Sequence, residues 1–408
     1  METFIARQPI FDQEQNVFAY ELLFRNSLDN VFTHLDSDQA TSRVIADSFV
    51  LQGMEKLTGG KIAFINITQD ILIKNYVTLL PKNFIAVEIL ETVEPDSQAI
   101  DACKKLKQSG YLMVLDDFVY DERFKPFVDL ADIIKVDFLA TDKEERKRLV
   151  DEYSPRGIRF LAEKVETQEA FREAMDLGYH YFQGYFFSKP LIVRSRVIPG
   201  DKLHHLNLLR EIQQPEIDFA KIEEIIKRDI SLSYKLLRYI NSAFFGLRIK
   251  VKSLRHALTL LGKIEIRKWT SLVSLASMGS DKPKELLNQS IVRAKFCESL
   301  AFKVGLSRRS DDLFLMGMFS LIDAIVDHPL SELLNNIPID DDIKAALLGE
   351  PNILREVYEC VLAYEKGEWE KLSQQATKLG INETEIPNLY QEAVEWGHQS
   401  LQEGFLNE

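Results

Sequence analysis

The sequence predicts two unlike halves: an α/β half, a trimmed TIM-like (βα) barrel over residues 1–198, and an all-helical domain over residues 199–408. Three observations carry this reading. Successive short apolar runs in the first half end in a carboxylate or an amide, the pattern a βα barrel places around its mouth. Up to about Pro190 those runs alternate with helix-like stretches, as in βαβ units of a mostly parallel sheet. From about Pro199 the strand signal vanishes, and apolar residues recur at three- and four-residue spacing.

In chain order, FIARQPIFDQEQNVFAYELLF reads as a hairpin with DQEQN as its turn, so the first strand runs antiparallel to the rest. The second run, NVFAYELLFR, ends near Glu21. TSRVIADSFVLQGMEKL is helix-like, and KIAFINIT follows with Asn66. NFIAVEILE carries Glu88 and Glu91. The helix in EPDSQAIDACKKLKQSG closes at Gly110, and YLMVLDD ends in Asp116 and Asp117. DIIKVD carries Lys135 and Asp137, IRFLAEKVE carries Glu163 and Glu166, and YHYFQGY carries Gln183. This is short for a barrel, so several helices must be trimmed. SRVIPGDKLHH, with Pro199-Gly200, joins the halves. KIEEIIKRDISLSYKLLRYINSAF and the segments after it are helical.

Polar residues at strand ends are partly explained by polar loops. That explanation does not favour carboxylates, nor does it place two like charges side by side at Asp116-Asp117, which something cationic must hold. Glu21, Asn66, Glu88, Asp116 and Asp117 form an oxygen-rich set without His or Cys. Hard divalent ions, Mg²⁺ or Mn²⁺, want such ligands. Adjacent aspartates suit a bridged metal pair, the arrangement that clamps both oxygens in phosphodiester cleavage. Lys135 is suited to offset excess carboxylate charge or orient a water. Glu163 is suited to take that water's proton or bind a second metal. Arg25, four residues beyond Glu21, is suited to a phosphate contact. Taken singly, Glu21–Arg25 reads first as a surface pair and Lys135 as a core-edge ion pair; the ordered set carries the argument.

Composition narrows the function classes. The 408 residues are 46% hydrophobic, enough for full cores, and the net charge of −13 argues against nucleic-acid backbones as partners. Cys103, Cys297 and Cys360 form no metal or disulfide spacing and read as buried or free thiols of a reducing, cytoplasmic compartment. No signal-peptide pattern and no membrane-length apolar run is present, so no membrane is expected as a partner.

The ordered motifs YELLFR, NIT, VEILE, LDDF, IKVD, AEKVE and QGYFFSKP resemble the EAL family of cyclic di-GMP phosphodiesterases over about residues 1–190. The resemblance implies a βα barrel that hydrolyses cyclic di-GMP to linear pGpG with Mg²⁺ or Mn²⁺. It implies metal ligation by Glu21, Asn66, Glu88 and Asp116, with Asp117 at a second site. It implies Lys135, Glu163 and Gln183 around the attacking water, with Leu23, Arg25 and Gln183 against the substrate. Glu91 matches a glutamate that steadies the loop after the fourth strand. Three departures stand out. The name-giving triplet reads Glu21-Leu22-Leu23; a motif glycine is Lys164; and the loop usually rich in glycine reads DDFVYDERF. In the family that loop couples metal binding to dimerisation, so a homodimer is expected, while Val119 and Tyr120 do not easily take the positive φ that glycine permits.

LSYKLLRYINSAFFGLRIKVKSLRHALTLLG, FSLIDAIVDHP and YEKGEW resemble the HDOD family, relatives of HD-type phosphohydrolases that have lost the metal site. Ser320 and Leu321 stand where a His-Asp pair would be needed. His204, His205 and His328 are assigned no metal, and Asn241-Ser242 is read as a turn after a helix. Phe244 and Phe245 are read first as packing inside the bundle, with a partner-docking spot as the alternative. The expected function is cyclic di-GMP hydrolysis controlling motility and biofilm signalling, with a protein partner on the HDOD domain. The alternative is a weak or inactive EAL-like sensor that signals through that domain.

Overall fold

The computed structural model describes residues 4–25, 51–116, 122–189, 198–214, 216–242, 245 and 250–401. Asp117, the loop through Asp121, Phe244 and most of the helix expected before Lys61 lie outside the described residues. The chain divides into two units, one of residues 1–187 with 363–370, the other of residues 188–362 with 371–408.

The first unit is a closed eight-stranded barrel. Its strands are β1 (Ile5–Phe11), β2 (Val17–Phe24), β3 (Ile62–Ile67), β4 (Ile85–Ile89), β5 (Leu112–Leu115), β6 (Ile133–Asp137), β7 (Arg159–Glu163) and β8 (Tyr181–Gln183). β1 runs antiparallel to both neighbours, β2 and β8, and every other pairing is parallel. The hairpin turn is the expected DQEQN. Asp12 Oδ1 accepts from Asn16 N at 2.8 Å, and Gln15 takes a positive φ of 60°.

Helices α1 (Leu51–Thr58), α2 (Gln69–Ile73), α3 (Ser97–Gln108), α4 (Lys125–Val128), α5 (Lys143–Tyr153) and α6 (Gln168–Asp176) connect the parallel strands. α2 and α4, of 5 and 4 residues, are where the barrel is trimmed. α3 starts where Asp96 accepts from Ala99 N at 2.8 Å and stops where Gly110 takes φ +88°, a conformation costly for residues with a Cβ.

One buried apolar residue from each strand fills the barrel: Ile10, Ala19, Phe64, Ala86, Val114, Ile133, Leu161 and Tyr181. Side chains alternate faces along a strand, so the residue two further toward the mouth points inward as well. That step reaches Gln8, Glu21, Asn66, Glu88, Asp116, Lys135, Glu163 and Gln183. The barrel thus stacks a complete polar layer on a complete apolar one.

Among its described residues the second unit's regular elements are all helices. It contains α7 (Gly200–Ile212), α8 (Phe219–Lys227), α9 (Ile230–Ile240), α10 (Leu254–Met278), α11 (Lys284–Lys303), α12 (Ser310–Phe319), α13 (Ile322–Val326), α14 (Leu330–Asn336), α15 (Asp341–Leu347), most of α16 (Ile353–Glu365), most of α17 (Trp369–Leu379) and α18 (Ile386–Ser400). α10 kinks at Gly262, whose φ is 71°. α11 is its buried centre. A Cβ on Gly317 of α12 would lie 2.5 Å from Arg293 O, and one on Gly397 of α18 would lie 2.9 Å from Val292 Cγ2. Asn241 ends α9 as expected: its amide donates to Leu237 O at 2.7 Å and Val251 O at 2.8 Å, and its oxygen accepts from Val251 N at 2.7 Å. Cys103, Cys297 and Cys360 are buried and form no disulfide.

Candidate active site at the barrel mouth

Lys135 organises the polar layer. Its ammonium, 1% exposed, lies 2.5 Å from Glu163, 3.0 Å from Asp116 and 3.5 Å from Glu21, and also pairs with Glu88. One cation therefore faces four carboxylates. Burial and like-charge neighbours both favour the neutral form of a carboxylate, and Glu88 and Glu163 respond to them. Burial, opposed by Lys135 but reinforced by the neighbouring carboxylates, holds Glu88 well above the usual carboxylate range. Glu163 is pushed up to about 8, first by burial. Lys135 goes the other way: burial favours its neutral form, but the surrounding carboxylates outweigh burial and raise its pKa.

Two amides complete the layer. Gln183 Nε2 donates to Glu21 at 2.7 Å and to Gln8 at 3.1 Å, and Asn66 Nδ2 donates to Glu21 at 3.3 Å. Asn66 Oδ1, Gln183 Oε1 and Glu88 Oε2 are buried acceptors without a hydrogen bond. Each such orphan is costly unless a cation or donor reaches it. Oxygens of Glu21, Glu88 and Glu163 come within 4.8 Å of one another. All the donors are oxygen, which suits Mg²⁺ or Mn²⁺. The residues present therefore fit a hard divalent ion.

A cavity of about 330 Å³ opens on this layer, lined by Glu21, Leu23, Asp116, Lys135, Glu163 and Gln183 among others. Asn66 and Glu88 lie in the layer without lining the cavity, while Arg25 stacks its guanidinium 4.8 Å from the centre of the Phe4 ring. Glu91 is exposed in the turn after β4 and does not line the cavity.

Sequence reasoning did not single out Gln8, Gly184 or Tyr185, which also line the cavity. Gln8 precedes its apolar partner Ile10, because β1 runs in the opposite sense. Gly184 was visible only as the glycine of YHYFQGY. A Cβ there would lie 2.2 Å from Val165 O, so only glycine lets the end of β8 approach the turn after β7. Lys164, noted as a departure from the motif glycine, keeps glycine's geometry with φ 53°. Its ammonium reaches Asp137 at 2.5 Å. Burial opposes ionisation of Asp137, but Lys164 and the backbone N–H groups of Ala140 and Leu139 outweigh it and lower its pKa.

In the second unit, Ser320 Oγ donates to Gly317 O at 2.7 Å and receives Arg293 at 3.3 Å, and His328 pairs with Glu332 at 2.9 Å. Among the described residues no helix is long and apolar enough to cross a membrane.

The EAL domain family matches residues 15–190 and the HDOD domain family residues 202–327. The uncharacterized protein YuxH of Bacillus subtilis is 37% identical over 409 residues, spanning 98% of this chain and 99% of that protein. The cyclic di-GMP phosphodiesterase CdgJ of Vibrio cholerae is 36% identical over 397 residues, spanning 97% of this chain and 92% of that protein. A standalone EAL protein from Vibrio cholerae O395, solved with cyclic di-GMP, is similar over 46% of this chain and 92% of its own, at 23% identity and a TM-score of 0.35.

Proposed function

Because this chain belongs to the family of proteins that join an EAL domain to an HDOD domain, we propose that it is a metal-dependent phosphodiesterase hydrolysing cyclic di-GMP to pGpG. The observation that carries the reading is the closed polar layer, with four carboxylates and three buried, donor-less acceptor oxygens, onto which a cavity opens through Glu21, Asp116, Lys135, Glu163 and Gln183. Glu21, Asn66, Glu88 and Asp116 would hold Mg²⁺ or Mn²⁺, with Asp117 serving a second ion. Bound there, such ions supply charge stabilisation for the phosphodiester oxygens and lower the pKa of water.

The chain's own groups do the rest. Arg25 and Leu23 hold the nucleotide, the first through a charge-assisted phosphate contact. Gln183 and Lys135 orient the attacking water. Glu163, in its ionised form, accepts its proton as the water oxygen bonds to phosphorus; the bond from phosphorus to the sugar oxygen breaks, and that oxygen takes up a proton from solvent to leave as a hydroxyl. One water is consumed and one linear dinucleotide leaves. The helical half would serve as a protein-partner module, and the whole would act in the cytoplasm, with homodimer formation and motility or biofilm control as further parts of the reading.

A second reading, a nucleotide sensor with little turnover, is favoured by the loop DDFVYDERF, which lacks the family's glycines. One experiment separates the two. Purified full-length protein is incubated with cyclic di-GMP and Mg²⁺ or Mn²⁺, and pGpG is followed by chromatography; binding is measured in Ca²⁺. Turnover that disappears in Asp116→Ala supports the enzyme. Binding without turnover supports the sensor, and neither binding nor turnover refutes both.

A further inference from the structure

The segment AYEKGEWE, residues 363–370, follows most of the helical half in sequence yet is part of the barrel unit. It lies outside the HDOD match at residues 202–327. It comprises the end of α16 and the turn beyond, where Gly367 N donates to Tyr364 O at 3.0 Å and Glu368 N to Ala363 O at 2.9 Å. Gly367 has φ +68°, and a Cβ there would lie 3.0 Å from Leu23 Cδ1. Tyr364 OH donates to Ile5 O at 3.2 Å. The Trp369 ring meets Phe4 edge-on, centres 6.2 Å apart, and Phe4 in turn carries the Arg25 guanidinium on its ring. Lys366 Nζ lies 5.6 Å from the centre of the Tyr185 ring.

These contacts share one place. β2 ends at the mouth and β1 begins there, so Ile5, Leu23 and Arg25 are neighbours, and Tyr185 follows the mouth end of β8. Leu23 and Tyr185 line the cavity itself.

We propose that the 363–370 turn positions the substrate-contacting groups of the barrel mouth. Trp369 backs Phe4, and Phe4 holds Arg25 by a cation–π contact. Gly367 seats Leu23, and Lys366 adds positive charge beside Tyr185. An arginine already stacked loses less freedom when it takes a phosphate, so affinity depends on the turn. The inference rests on the reading that this mouth takes cyclic di-GMP.

The test measures KM and kcat for cyclic di-GMP in the full-length chain with Mg²⁺ or Mn²⁺. Trp369→Ala should raise KM about tenfold, the scale of a weakened charged contact, with kcat within about twofold. Trp369→Phe keeps an edge-on ring and should restore most of the affinity. Arg25→Ala combined with Trp369→Ala should be no worse than Arg25→Ala alone, since Trp369 acts through Arg25. Lys366→Gln, a change at a side chain 40% exposed, should raise KM about threefold without moving the melting temperature. Should Trp369→Ala fail to fold, Lys366→Gln and the Trp369→Phe, Arg25→Ala pair decide. Wild-type KM in Trp369→Ala and Lys366→Gln, or independent multiplication of the Trp369 and Arg25 effects, overturns the proposal while leaving the enzyme reading intact. A wild-type chain that neither binds nor hydrolyses cyclic di-GMP overturns the enzyme reading and this inference with it.

Discussion

Lys135 and Glu163 set the electrostatics of the polar layer at the scale of single residues. Removing Lys135 leaves buried carboxylates without their cation, a change of about 3 kcal/mol or more for a broken buried pair. Lys135→Met should lower the unfolding free energy of metal-free protein by that amount in urea titrations; an unchanged midpoint would mean the carboxylates do not depend on it. Glu163 predicts a pH dependence. Its folded pKa of about 8 lies above its ordinary value of 4.5. The stability it contributes is therefore fully present below about pH 4.5 and lost as pH rises through about 8. In EDTA, melting temperature should fall across that window, and Glu163→Gln should flatten the fall. Divalent ions bind the ionised form, so Mg²⁺ or Mn²⁺ should recover most at the alkaline end, by about 2.7 kcal/mol at a hundredfold excess over Kd. Melting temperature that rises with pH in EDTA would refute this account.

Between residues and the whole chain stand the strands and helices that hold side chains in register. The period of two along each strand puts the polar layer directly above the apolar one, so a strand contributes to the site only if its register is kept. Lys164 shows a backbone demand overriding side-chain preference: it takes a positive φ of 53°, which glycine would adopt without cost. In the helical unit the same logic applies to Gly317. Gly→Ala inside a helix ordinarily stabilises by about 1 kcal/mol. Here the added methyl would meet the α11 backbone at 2.5 Å, and overpacking of about 1–3 kcal/mol should win. Gly317→Ala should thus be net destabilising in thermal melts, and a stabilised variant would show that α12 simply shifts.

The whole molecule is not the sum of two halves cut at residue 198. A fragment of residues 1–198 lacks residues 363–370, which belong to the barrel unit and supply Tyr364, Gly367 and Trp369 to it. That fragment should melt several degrees below the full chain, the shift expected for about 1–2 kcal/mol in a domain this size. Calorimetry of both proteins checks this. Identical barrel transitions would show that the turn adds nothing to the barrel's stability.

The sequence by itself determined which polar side chains end the apolar runs and in what order. Alternation along a strand is local, so apolar runs ending in Glu21, Asn66, Glu88, Asp116, Glu163 and Gln183 were legible without any fold, as was the change to helical spacing after about Pro199. Tertiary structure decided what those residues face. Barrel closure, a relation among eight distant strands, brought Lys135 within reach of four carboxylates. The reversed sense of β1 put Gln8 in the same layer, where a rule based on strand ends does not look for it. The chain's return placed YEKGEW, which resembles part of the helical half, with the barrel. Local patterns report periodicity and propensity. Contacts between segments hundreds of residues apart depend on packing that no single window of the sequence encodes.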